Sequence, residues 1–473
     1  MDLGTLVDSE SSTDAVGEAT AVVRSSTNHE TATVTVQVGS LVGYGWVEYG
    51  NPGDPSILPF SPSMGGVLSD DVYVTYWLND PDNVLANLCD LQVLVDSEVI
   101  GGAMYTDPTV EWHTNMCTNG LHSIRACVTD ATGNTMYSPV TWVTTDNAIH
   151  AVNVSSYEVD PSTSLTTTIS ALLKESADWA FTIKDSTGNN TVCSTTGTGT
   201  VISYTWDGAT PLDDDLFHYN IAVTSGSNAG KSNSGWVSKA TVPWSQVQVV
   251  SAAGADIHYW SQRIQPLYHY AKARGFTARR IPPQLCTYQR LSSIMAYGNC
   301  RMLHLFTHSG LVCYGSVGIW KTTIELYKGQ NFASDKNGLP GYPRPTIADW
   351  GLTDSDQMRF VFLDGCHTGA FGMHTGQAND MATAFGMYSY SNMLWGDQTY
   401  VGWLDYIYNN PVYQDWIEGM IESFHHAGRP LYNAEFLTYW HDPSKFNDIY
   451  NNNLVNYGGD YDESYLTTFF EVY

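Results

Sequence analysis

The hydrophobic periodicity of the chain changes once, near Pro243, and this change constrains the fold more than any other feature. Ahead of it, apolar residues alternate with polar ones in short runs, the period-2 pattern of half-buried strands. Beyond it, short all-apolar runs alternate with stretches in which apolar residues recur every three or four positions. That is the pattern of strands buried on both faces and of amphipathic helices. A β-only front and an α/β back call for separate cores, and 473 residues exceed what one core usually serves, so a multidomain protein is expected.

Residues 1–40 are rich in Ser, Thr and Glu and read as a polar, mostly flexible leader, within which 31–38 alternates cleanly enough for an edge strand. Residues 41–147 read as an all-β sandwich. The runs at 72–78, 91–95 and 122–128 are strands, and Asn79-Asp80-Pro81-Asp82 and Thr132-Gly133-Asn134 are turns between them. Residues 148–243 repeat the theme, with strands at 180–184 and 217–223 around Tyr204-Thr205-Trp206-Asp207-Gly208. Neither segment shows a cluster of His, Asp or Glu at metal-ligand spacing, so no metal is expected there; Asp213-Asp214-Asp215 reads as a solvated loop, with cation binding as the alternative.

From 244 to 473 strands and helices alternate. A strand at 247–251 leads to a helix over 257–274, whose stripe is Ile257, Trp260, Ile264, Leu267, Tyr268 and Ala271 and which Gly275 closes. A strand at 276–281 and a helix over 285–297 follow. Two apolar runs then end in reactive residues: Leu303-His304-Leu305-Phe306 before Thr307-His308-Ser309-Gly310, and Phe360-Val361-Phe362-Leu363 before Asp364-Gly365-Cys366-His367-Thr368-Gly369. Helices at 380–387 and 412–427 and a strand at 392–395 complete the pattern. Such alternation builds a mainly parallel sheet covered on both faces, and reactive groups gather at the carboxyl ends of its neighbouring strands. His308 and Cys366 are 58 residues apart, enough for one crossover with an insertion. Neighbouring strands are about 4.8 Å apart, so an imidazole and a thiol at those ends are within reach of each other. A Cys–His dyad is the simplest reading.

Charge and cysteine usage narrow the function classes. The net charge of −28 is concentrated in residues 1–244, which hold 6 basic and 28 acidic side chains, so nucleic acid and anionic lipid are not expected as partners. No apolar run reaches 18 residues, so no membrane span is expected, and no signal peptide is visible at Met1-Asp2-Leu3-Gly4. Eight cysteines without a CxxC pair argue against a structural zinc site. Cys89, Cys117 and Cys127 can supply a disulfide whose pairing the sequence leaves open.

The turns around His308 and Cys366 resemble those of caspase-like cysteine peptidases, the group of metacaspases, gingipains, legumains and CHAT domains. Asp364-Gly365-Cys366-His367-Thr368-Gly369 is most similar to the metacaspase form, and the likeness spans about residues 245–440. The family has Gly directly after the His, whereas this chain has Ser309 and then Gly310. The resemblance implies a cysteine endopeptidase with Cys366 as nucleophile and His308 as base. Its oxyanion donors are the amides of Cys366, Ser309 and Gly310, and Asp364, with Asp397 as a second carboxylate, reads a basic P1 residue. In legumains the matching acidic residue belongs to a pocket for Asn. The segment from 111 to 134 resembles bacterial immunoglobulin-like modules, and 180–223 is similar to the Ig-like module of flagellar hook-assembly proteins. Together these imply two Ig-like sandwiches ahead of a caspase-like α/β domain in an extracellular or cell-surface enzyme. It would act on protein or peptide substrates without a cofactor, calcium dependence being left open, and its β modules would contact cell surfaces or carbohydrate. The alternative is an inactive caspase-like domain that serves binding. Between the two reactive turns, residues 321–357 carry Lys328, Lys336 and Arg344 and read either as a loop cleaved on activation or as an ordinary insertion.

Overall fold

The computed structural model describes residues 5–9, 21–24, 30–38, 41–49, 56–79, 90–103, 109–129, 135–254, 260–273, 275–314, 319–327, 330–333, 350, 352, 360–365, 385, 399–403 and 454–457. The chain divides into two compact units: residues 1–114 with 119–147, and residues 115–118 with 148–473.

The first unit is all β. Within the stretch read as a leader, Thr5–Ser9 pairs with Ala21–Arg24, and Glu30–Val38 forms a hairpin with Leu41–Tyr49. A three-stranded sheet (Thr109–His113, Asp71–Asn79, Ser56–Ser61) and a larger one centred on Gly120–Thr129 carry the core residues Val74, Tyr76, Leu91, Val93, Trp112 and Ile124. Alternation puts one face of Thr109–His113 inward, where only Val110 and Trp112 are buried.

The second unit opens with a β module and continues into an α/β sheet. In the β module the 19-residue strand Thr167–Asp185 pairs with Ile149–Val154, Thr191–Trp206 and Leu216–Val223 around a core of Ile169, Phe181, Ile183, Ile202 and Trp206. The α/β sheet has the order Ala278–Ile281, Val249–Ala253, Met302–Phe306, Phe360–Asp364, Thr399–Trp403, Leu454–Tyr457, parallel throughout except for the last strand. Leu303, Leu305, Val361 and Leu363 share a core with Leu291, Ile294 and Met295 of the helix Tyr288–Ala296. Ala253 and Phe306 pack instead with Trp260 and Ile264 and with Leu216 of the β module. The helix expected over 257–274 is two helices, Trp260–Arg263 and Gln265–Ala273. Pro266 explains the break, because it lacks an N–H and clashes with the carbonyl four residues back. Gly275 closes the second helix at φ 83°, with Phe276 N donating to Ala271 O. The strand and helices expected at 392–395, 380–387 and 412–427 lie outside the described residues, Phe385 excepted, which is buried in the core.

Two arginines on the edge strand Ala278–Ile281 attach this sheet to the β module. Arg280 is fully buried. Its Nε donates to Asp215 Oδ1 at 2.8 Å, its guanidinium also pairs with Asp214, and its backbone N–H donates to Asp215 Oδ2. Burial opposes the charge on Arg280, but Asp215 and Asp214 outweigh it and hold the guanidinium above its ordinary value. Arg279 donates to Glu158 at 2.6 Å and stacks 3.7 Å from the centre of the Trp244 ring. The Asp213-Asp214-Asp215 run is therefore not a solvated loop: Asp215 is buried, Asp214 pairs with Arg280, and Asp213 pairs with Lys272 at 2.9 Å. Sequence reasoning missed this because the arginines lie about 65 residues further along the chain.

Replacing Arg280 with Met leaves Asp215 as a buried, uncompensated charge. It is expected to cost on the order of 3–5 kcal/mol. Lys272→Met, which breaks an exposed pair, should cost no more than about 1 kcal/mol. Urea unfolding followed by tryptophan fluorescence compares the two.

Candidate active site

His308 stands two residues beyond the end of Met302–Phe306 and is exposed. Phe306 is paired in register with Asp364, the last residue of Phe360–Asp364. Thr307 continues this pairing one step further, its N–H donating to Asp364 O at 3.1 Å. Its hydroxyl donates to Glu325 O, and Glu325 N donates back to His308 O at 2.9 Å. The His308 turn is thus held from two sides, by the neighbouring sheet strand and by the hairpin that follows.

Ser309 and Gly310 begin the strand Ser309–Tyr314, which pairs antiparallel with Ile319–Leu326, itself paired with Gln330–Ala333. The first part of the segment expected as a loop is therefore strand, and Lys321 lies within it; Lys328, Lys336 and Arg344 are outside the described residues. The Ser309 side chain is buried. A Cβ on Gly365 would lie 2.5 Å from Ser309 Oγ and 2.6 Å from Thr307 O, and one on Gly254 would lie 2.5 Å from Thr307 Oγ1. The carboxyl ends of three neighbouring strands converge here closely enough that only glycine fits at 254 and 365.

Beneath this turn lies a buried polar cluster. His304 is 2 % exposed, stacks on Phe362 at 4.9 Å, and has Nδ1 3.3 Å from Ser251 Oγ and Nε2 3.6 Å from Asp364 Oδ2. Asp364 is fully buried, and Arg263 Nε approaches its Oδ2 at 3.7 Å. Arg263 is itself buried, lies over the Phe306 ring at 5.1 Å, and finds no hydrogen-bond acceptor for Nε, Nη1 or Nη2 among the described residues. Asp364, expected as an open handle for a basic P1 side chain, thus already faces a cation from within the protein. Arg263 was the residue missed. Its signal was a charge on the apolar stripe, three residues after Trp260 and four before Leu267.

Cys366, Asp397 and His367 lie outside the described residues. The thiols of Cys193, Cys286 and Cys300 are all pushed up by burial, that of Cys300 to about 12, so these three are not thiolates at neutral pH.

No family model matches the chain, and no curated protein matches it. Solved structures similar to it include a Geobacter sulfurreducens protein (12 % identity, 47 % of this chain and 96 % of that one, TM-score 0.28). The fibronectin(III)-like modules of Clostridium thermocellum CbhA also match (15 % identity, 19 % and 93 %, TM-score 0.17), as does the D00-D0 domain of intimin (10 % identity, 39 % and 99 %, TM-score 0.17). At these values the functional argument rests on the chain's own site. No helix among the described residues is long and apolar enough to cross a membrane.

Gly365→Ala is expected to lower stability by roughly 1–3 kcal/mol through overpacking. Adding Ser309→Gly should relieve only part of this, because the Thr307 carbonyl stays in place. Thermal unfolding of the single and double variants measures the difference.

Proposed function

We propose that the protein is a cysteine endopeptidase in which Cys366 attacks the scissile carbonyl and His308 serves as base and then as acid to the leaving amine. The observation that carries this reading is the register. His308 follows Phe306 by two residues, Cys366 follows Asp364 by two, and Phe306 and Asp364 are partners on adjacent parallel strands. An unperturbed thiol, with a pKa of about 8.5, is only slightly ionised at neutral pH, so a neighbouring imidazole is what activates it. The amides of Cys366 and of the Ser309-Gly310 turn are the candidate oxyanion donors.

The Arg263–Asp364 pair changes the expected P1 preference. A basic P1 side chain would compete with Arg263, whose Nε lies 3.7 Å from Asp364 Oδ2. A carboxamide both accepts from a guanidinium and donates to a carboxylate, so the pair favours the pocket for Asn over the pocket for Arg or Lys. An extracellular setting, with the β modules contacting a cell surface or carbohydrate, accompanies this reading. The second reading, an inactive domain that binds peptide, is favoured by one observation. Ser309 stands where the resemblance calls for Gly, and its side chain is packed against Gly365.

Fluorogenic peptides with Asn, Arg, Lys or Asp at P1 test both points. Turnover that Cys366→Ala and His308→Ala each abolish is the expected result, with Asn cleaved fastest and Arg263→Met removing that preference. Turnover of none of the peptides, with or without calcium and reductant, would sink the enzyme reading.

A further inference from the structure

The outward face of the first unit carries a side-chain cluster that the peptidase reading does not use. Asp71 opens the strand Asp71–Asn79, His113 closes Thr109–His113, and the two are direct cross-strand partners. Glu111 lies two residues before His113 on the same outward face, because Val110 and Trp112 take the inward one. His113 Nδ1 is 2.7 Å from Asp71 Oδ1, and one ligand atom from each of the three residues lies within 4.8 Å of the other two. This corrects the expectation that the β modules hold no ligand cluster. In the sequence only Glu111-Trp112-His113 is local, and the third member arrives through strand pairing.

The backbone around the cluster is held in place. Asp70, just before Asp71, sits in the left-handed region at φ 61°, and its N–H donates to Asn147 Oδ1 at 2.7 Å. Thr114, just after His113, is buried and donates to Asp70 O from both its N–H and its hydroxyl, at 3.2 and 2.7 Å. Both ends of the cluster are therefore tied to one buried network, and the three ligand groups project from strands whose register is set. Such fixed spacing is what a preorganised site requires.

Two carboxylates and one imidazole face one another in the cluster. The hydrogen bond from His113 holds the Asp71 carboxyl below its ordinary range, so it is ionised at neutral pH. Glu111 adds a second carboxylate to the cluster.

We infer that Asp71, Glu111 and His113 form a site for a divalent transition-metal ion of the zinc type. Two carboxylate oxygens and one imidazole nitrogen are the protein ligands, and water takes the remaining position. Imidazole favours such ions over calcium and magnesium, and three protein ligands with an open position is a familiar zinc arrangement. The ion replaces the His113–Asp71 hydrogen bond at Nδ1 while the imidazole keeps one proton on Nε2; only the second proton of an imidazolium competes with the ion, so binding weakens in acid. The site lies within the first unit and is independent of the peptidase reading.

The test is calorimetric titration of zinc chloride at pH 7.5 into the whole chain carrying Cys366→Ala, which removes the thiol of the Cys366–His308 pair as a competing ligand. The same protein carrying His113→Gln or Glu111→Gln is titrated alongside, with circular dichroism to verify folding. The expected result is one fewer zinc equivalent with His113→Gln, at least about tenfold weaker binding at that equivalent with Glu111→Gln, and weaker binding to the parent at pH 6. Equal stoichiometry and affinity in all three proteins, or no binding to the parent, overturns the site.

Discussion

The buried pairing of Arg280 with Asp215 is the constraint on which the second unit depends. An open parallel sheet exposes unpaired backbone groups along its edge strands, and at Ala278–Ile281 this edge is closed by the β module. The Arg280 N–H donates to the Asp215 carboxylate, the guanidinium to Asp215 and Asp214, and Arg279 beside it to Glu158. A guanidinium removed from water is tolerated only with charge and hydrogen bonds supplied around it. The β module and the sheet therefore form one compact unit despite their different periodicities.

The same sheet sets up the candidate active site at its other end. Three strands finish together, and Gly254, Thr307 and Gly365 are in such close contact that no side chain fits at the glycines. This packing positions the His308 turn and buries Asp364 against Arg263 and His304. Asp364 belongs as much to the support of the strand ends as to any pocket above them. Two carbonyl–amide bonds and a hydroxyl tie the turn to its neighbours, so backbone pairing sets where the His308 turn stands.

Much of the architecture was legible in the sequence because its signals are local. Alternation gave away the strands of the first unit, and the all-apolar runs before His308 and Asp364 marked strands buried on both faces. Thr287 and Gly298 bracket a helix at the expected place, the threonine hydroxyl accepting from Arg290 N. Pro266 was equally visible, yet the strength of the surrounding apolar stripe concealed the break it causes.

By itself, the sequence determined strands such as Thr109–His113, Met302–Phe306 and Phe360–Asp364 and the helix Tyr288–Ala296, since those depend on spacings of two to four residues. It also determined that His308 and Cys366 each follow a buried strand. Only the tertiary structure decided who partners whom. Arg280 reaches Asp215 across 65 positions, Arg263 meets Asp364 across the carboxyl end of the sheet, and Asp71 joins Glu111 and His113 through strand register. These pairings decide which carboxylates are compensated and which face solvent. They arise from long-range packing, in which charge and desolvation act between residues that local periodicity cannot relate.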